Sequence, residues 1–305
     1  MKEALTRTLA LSMALLLVFA LAMPAACAQA PAAYTPLYPV AEGVPADKLV
    51  VISDIHLGVD DAYAETVKNR ALLTDFLHRL AATPDIAEVV IAGDFFDEWF
   101  QPFSAPPHAS SGEFYRQVAD NNRPVVDAIQ ELMDVYGKKV TYVPGNHDIT
   151  LDTATMAAIL PGIHQSRDAD GLGTCRAGKR GEIVIEHGHR YNVFVAPDSV
   201  SNAALSGGKS ILPPGYFFTR IAASFVHEGR PKDTKGYPLV ADPGKADPSQ
   251  YGAYLYRQMW LWTLTTYPVN EALDAKVMDA NFSGFAEPCS INDVLPVTDA
   301  RGKIS

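Results

Sequence analysis

Four short clusters in this 305-residue chain hold side chains that can do chemistry: Ser53-Asp54-Ile55-His56, Gly93-Asp94-Phe95-Phe96-Asp97, Gly145-Asn146-His147-Asp148 and Glu186-His187-Gly188-His189. Carboxylate, imidazole and amide oxygen without thiolate suit Mn²⁺, Fe or Zn²⁺ rather than a Cys-rich structural zinc site. Two such ions held side by side would clamp a phosphoryl group, polarise it and lower the pKa of a bridging water, placing hydroxide in line with phosphorus. Taken singly the clusters say little. An Asp-x-His arises by chance, a Gly-Asp is usually a turn, and a His at a strand end is more often a capped or core residue than a ligand. What carries weight is that all four fall at the ends of predicted strands, in sequence order.

The elements that must position them are read from hydrophobic pattern. Leu49-Val50-Val51-Ile52 and Glu88-Val89-Val90-Ile91-Ala92 are near-continuous β-branched runs, as in strands buried on both faces, and Lys139-Val140-Thr141-Tyr142-Val143 is a third. Val67, Ala71, Leu72, Phe76, Leu77 and Leu80 follow helical spacing and Pro84 stops that helix. A second helix is expected from Glu113 to Tyr136, kinked or broken at Pro124. Strands alternating with helices predict βαβ units and a largely parallel sheet, with ligands gathering beyond the carboxyl ends of the strands. Shorter strands, Gly173 to Arg176 and Glu182 to Glu186, predict an antiparallel extension. On extended chain, residues two apart share a face, so Asp54 and His56 are expected to reach one ion.

Beyond Val200 the character changes. Helices are predicted over Tyr216–Val226 and Tyr251–Tyr267 with a polar loop between them. The predicted organisation is a signal peptide over 1–30, an extended lead-in over 31–47, a core over 48–200, a helical cap or insertion over 201–286, and an incomplete segment over 287–305. The aromatic stripe Tyr251, Tyr254, Tyr256, Trp260 and Trp262 is expected to pack the cap on the core, with a lipid-facing role as the alternative.

Bulk properties narrow the partners. With 48 % hydrophobic residues the chain can bury a sizeable core, and a formal net charge of −10 without a long basic run argues against nucleic acid. Lys2 and Arg7, an apolar stretch from Leu9 to Ala22 and the small-residue end at Ala26-Cys27-Ala28 predict export to a periplasmic or extracellular location, with lipidation at Cys27 as the alternative. No second long apolar run follows, so no transmembrane segment is expected in the mature chain. Cys175 and Cys289 could pair in an oxidising compartment or remain two buried thiols.

Asp54-x-His56, Gly93-Asp94-x-x-Asp97, Gly145-Asn146-His147-Asp148 and His187 resemble, in type, order and spacing, the first four motifs of the calcineurin-like metallophosphoesterases. The run Gly-Asp-Phe-Phe-Asp-Glu-Trp is similar to the branch containing UDP-2,3-diacylglucosamine hydrolases. The resemblance implies a four-layer αββα sandwich of two mixed sheets and a dinuclear centre, manganese being the first choice of metal. It implies that Asp54 and His56 hold the first ion, that Asp94 bridges, and that Asn146 and His187 hold the second. His147 would be the general acid, with Asp97 fixing its imidazole, on a phosphorylated small-molecule or lipid substrate. The reading of Asp97 as a plain turn cap stays open. Asp148 and His189 could stand behind the ligands, and Arg190 could contact phosphate. The family's last motif, Gly-His-x-His, does not occur after His189; His227 is the one later histidine. An incomplete second sheet and a C-terminally truncated chain are therefore expected, with weak or absent catalysis as the alternative function.

Overall fold

The computed structural model describes residues 34–106, 108–167, 173–192, 194–196, 212–232, 249, 251–270 and 290. The predicted signal peptide over 1–30 and Cys289 lie outside them, as do most of the 201–286 loop regions and nearly all of 287–305. Four strands, β1 (Lys48–Ile52), β2 (Ile86–Ala92), β3 (Lys139–Val143) and the short β4 (His164–Gln165), form a parallel sheet in the order β1-β2-β3-β4. Val50 lies opposite Val89, and Val89 opposite Val140, so the β-branched runs stack in register. A separate antiparallel pair joins β5 (Cys175–Ala177) to β6 (Ile183–Ile185).

Strand periodicity then sorts the layers. Val89, Ile91, Val140 and Tyr142 face helices α1 (Arg70–Ala81), α2 (Ser111–Asn121) and α3 (Arg123–Asp134), packing against Leu77, Leu80, Tyr115, Val118, Ile129 and Leu132. Val90, Ala92 and Val143 face the other way, onto Cys175, Ala177 and Ile185. Helices, a parallel sheet and a smaller antiparallel sheet make an α/β fold. Both described sheets are of one kind, parallel or antiparallel, rather than mixed.

The expected kink is a full break. Asn122, wholly buried, separates α2 from α3, and Pro124 sits in the first turn of α3, where its missing N–H costs nothing. The Asn122 Nδ2 donates to Gly58 O and Val118 O, both at 2.8 Å, and its Oδ1 accepts from Arg70 Nε at 2.9 Å. That single side chain ties two helices to the loop that follows His56. Helix α4 (Thr153–Ile159) and β4 were not anticipated; the signal for α4 was Asp152, whose carboxylate caps the helix by accepting from Thr155 N–H at 2.7 Å. The described part of the lead-in is pinned to the core by Tyr34 stacked on His78, with ring centroids 4.1 Å apart, and by Tyr38 Oη donating to Asp85 at 2.9 Å.

The last two described helices, α5 (Pro214–His227) and α6 (Tyr251–Thr266), bury Tyr216, Phe217, Ile221, Trp260 and Leu264 in one cluster with Trp99 and Phe103. Trp260 is wholly buried whereas Trp262 is 60 % exposed, so most of the described stripe packs inward as expected; the side chains of Tyr251 and Tyr254 lie outside the described set. No described helix is long and apolar enough to cross a membrane. Cys175 is a buried free thiol.

Candidate metal centre

The chain does not turn away when β1 and β2 end. Asp54 N–H donates to Gly93 O at 3.2 Å, His56 N–H to Asp94 O at 2.9 Å and Leu57 N–H to Phe95 O at 3.0 Å, so the two loops run on as a ladder. To make it, Asp54, His56 and Asp94 adopt left-handed backbone with φ of 53°, 51° and 52°. They are three of the four non-glycine residues with positive φ among the described residues. Such conformations persist where surrounding structure enforces them, and they gather at functional sites.

Glycines make the approach possible. A Cβ on Gly93 would lie 2.5 Å from the His187 ring, and one on Gly145 would lie 2.0 Å from Asp94 Oδ1. Asp148, wholly buried, clamps the loops: its Oδ2 accepts from Phe95 N–H at 2.8 Å and its Oδ1 from Gly145 N–H at 2.8 Å. Burial, reinforced by nearby Asp94, pushes the Asp148 carboxyl up to about 6 although those backbone donors oppose the shift.

The donors form two groups that share Asp94. One comprises His56, Asp94 and His147; the other comprises Asp54, Asp94 and His187, each with ligand atoms within 4.8 Å of one another. Asp94 Oδ1 accepts from His147 N–H at 2.9 Å, leaving Oδ2 at 3.2 Å from His187 Nε2 and 3.6 Å from His56 Nε2. Asn146 joins the second group, its Oδ1 3.0 Å from His187 Nε2, while the opposite ring nitrogen of His187 meets Ala92 O at 2.9 Å. That backbone contact fixes the imidazole with Nε2 toward the cluster. The backbone at Asp54 and His56 is left-handed rather than extended, and their donors fall in two groups that share Asp94.

Asp97 both caps a turn and touches two imidazoles. Its Oδ1 accepts from Trp99 N–H at 3.0 Å and Phe100 N–H at 2.9 Å, a turn cap, and also meets His147 Nδ1 at 2.8 Å. Its Oδ2 meets His56 Nδ1 at 3.1 Å. Burial would raise the Asp97 pKa, but the imidazoles of His147 and His56 outweigh it and hold the carboxylate well below its usual range. Burial likewise disfavours charge on His56 and His187, yet the Asp97 contact for His56 and the Asp94 contact for His187 raise both to about 9.

Sequence reasoning overlooked Trp99. Its indole, wholly buried, stacks on His147 with centroids 4.2 Å apart and planes 28° apart, and is in turn packed edge-on by Tyr216 of α5. The available signal was its place two residues after Asp97. Arg190 Nε lies 3.0 Å from Glu186 Oε2. His189 is buried beside His187; burial first, then His187, lowers its pKa to about 4.

Carboxylate, imidazole and amide oxygens converging at the ends of parallel strands, with one carboxylate common to two donor groups, fit a pair of divalent ions. Fold and site together define a metal-dependent phosphoesterase. The calcineurin-like phosphoesterase family profile matches residues 48–213, more than half of the sequence, and the chain belongs to that family. Comparison with curated proteins and with solved structures returned no match.

Proposed function

We propose that the chain is an exported hydrolase of phosphate mono- or diesters, working with two divalent ions, manganese first among Mn, Fe and Zn. The observation that carries this reading is Asp94 Oδ2, placed 3.2 Å from His187 Nε2 and 3.6 Å from His56 Nε2, where one carboxylate can serve both ions. Bound ions would polarise the phosphoryl group and supply an activated water. His56 holds one side of the centre; Asp54, Asn146 and His187 hold the other. His147 has Nδ1 engaged by Asp97, so Nε2 is the nitrogen left to give a proton to the leaving oxygen. Because His147 also falls in the His56 donor group, its proton-carrying role and a ligand role compete for the same ring.

The Gly-Asp-Phe-Phe-Asp-Glu-Trp run supports a branch related to UDP-2,3-diacylglucosamine hydrolases, and hence a phosphorylated small molecule or lipid as substrate. Export, read from residues 1–30, argues against a cytoplasmic lipid intermediate as the natural one. The test is hydrolysis of p-nitrophenyl phosphate and its bis ester by purified protein with Mn²⁺, together with elemental analysis. Turnover with two metals per chain, lost in Asp94→Asn, is the expected result. Fewer than two metals and no turnover would leave the second reading, a catalytically weak or inactive member of the family. Cell fractionation tests export, and recovery in the cytoplasm would remove it.

A further inference from the structure

Each of the three imidazoles in the donor groups has a ring nitrogen engaged by protein: His56 and His147 by Asp97, His187 by Ala92 O. His189 differs. It is 5 % exposed, and neither of its ring nitrogens has a hydrogen-bond partner among the described residues. Buried polar groups in folded proteins are almost always satisfied, and leaving one unmet costs about 1–3 kcal/mol. An imidazole with two unmet nitrogens beside a metal-binding cluster calls for a partner that the described residues do not provide.

We propose that His189 is a further imidazole donor of the metal centre, on the Asp54–His187 side, an inference that rests on the phosphoesterase reading above. Three features support it beyond the unmet nitrogens. Gly188, with φ of 89°, folds the chain so that His189 opens a tight turn over His189–Tyr191 and lies against His187, the ring centroids 5.3 Å apart. With Zn–N or similar bonds of about 2.1 Å, two imidazoles on one ion stand on the order of 5–6 Å apart by centroid. Ions such as Mn²⁺ favour six ligands, more than the described side chains of either donor group supply. His189 belongs to neither of the two donor groups, so joining the shell requires its ring to move toward them.

The experiment is metal binding by the full chain, independent of turnover: Mn²⁺ titration by calorimetry and the absorption spectrum of the Co²⁺-loaded protein, for wild type, His189→Ala and His189→Gln. The expected result is two Mn²⁺ sites in wild type and, in both variants, about ten-fold or greater weakening of one site with a changed Co²⁺ spectrum. The glutamine variant retains bulk and polarity, so it reports on ligation where alanine disturbs packing. Two sites of wild-type affinity and an unaltered Co²⁺ spectrum in the variants would overturn the assignment to His189 and leave the phosphoesterase reading standing. A drop in melting temperature with equal weakening of both sites would mark His189 as a packing residue only and overturn it too. Wild-type protein that takes up no metal would sink both readings at once.

Discussion

Asp97 joins two imidazoles with one carboxylate, which makes its charge matter more than its shape. Asp97→Asn keeps the size but removes the acceptor pair that holds His56 and His147 by their Nδ1 atoms. If His147 is the general acid, kcat on p-nitrophenyl phosphate should fall by roughly 10²–10⁴ while the protein remains folded by circular dichroism. A second consequence concerns protons. His56 and His187 each titrate at about 9 in the metal-free protein, and a metal takes the neutral imidazole. Metal uptake near pH 7 must therefore expel protons, and Mn²⁺ affinity should climb as pH rises from 7 toward 9. Calorimetry in buffers of different ionisation enthalpy counts the protons released. Stability of the metal-free protein should run the opposite way. These histidines have folded pKa values above the ordinary 6.5, so their contribution is complete below pH 6.5 and is lost as pH rises through about 9.

At the scale of elements, the site depends on loops held close. Gly145 passes Asp94 where a Cβ would lie 2.0 Å from Oδ1 and 2.3 Å from the Asp94 backbone nitrogen, which cannot move aside without breaking the ladder between the β1 and β2 loops. Gly145→Ala should abolish binding of at least one Mn²⁺ per chain, measured by elemental analysis after gel filtration. Asn122 is a lever farther away. Its three hydrogen bonds join α2, α1 and the Gly58 carbonyl, two residues past His56. Asn122→Ala should cost about 3 kcal/mol of stability in urea unfolding, since buried partners are left unmet. Metal affinity should fall as well, because the loop carrying His56 loses an anchor.

On the scale of the whole molecule, helices α5 and α6 reach the chemistry through aromatic contacts. Trp260 packs on Phe217, Phe217 on Tyr216, Tyr216 edge-on against Trp99, and Trp99 on His147. Trp260→Ala removes a wholly buried indole and should cost about 3–5 kcal/mol, seen as a lowered melting temperature. If this chain of rings positions His147, kcat should fall more than the two Mn²⁺ affinities do. Unchanged kcat in a folded variant would confine these helices to packing.

The sequence by itself determined the parallel strands and the residues at their ends. Long β-branched runs leave few alternatives to buried strands, and side chains such as Asp54, Asp94, Asn146 and His187 stand out against them. It also determined the break between α2 and α3, though Pro124 drew the eye and Asn122 makes it. Short elements such as α4 and β4 escaped because seven and two residues carry too little periodicity. Only the tertiary structure decided which donors meet. Left-handed φ at Asp54, His56 and Asp94 is imposed by hydrogen bonds between two loops about forty residues apart, and no local propensity encodes it. The same holds for Asp97 serving two imidazoles, for Asp148 clamping loops from two strands, and for Trp99 lying on His147. Each is a contact across the sheet, where proximity comes from the pairing of strands rather than from neighbours in the chain.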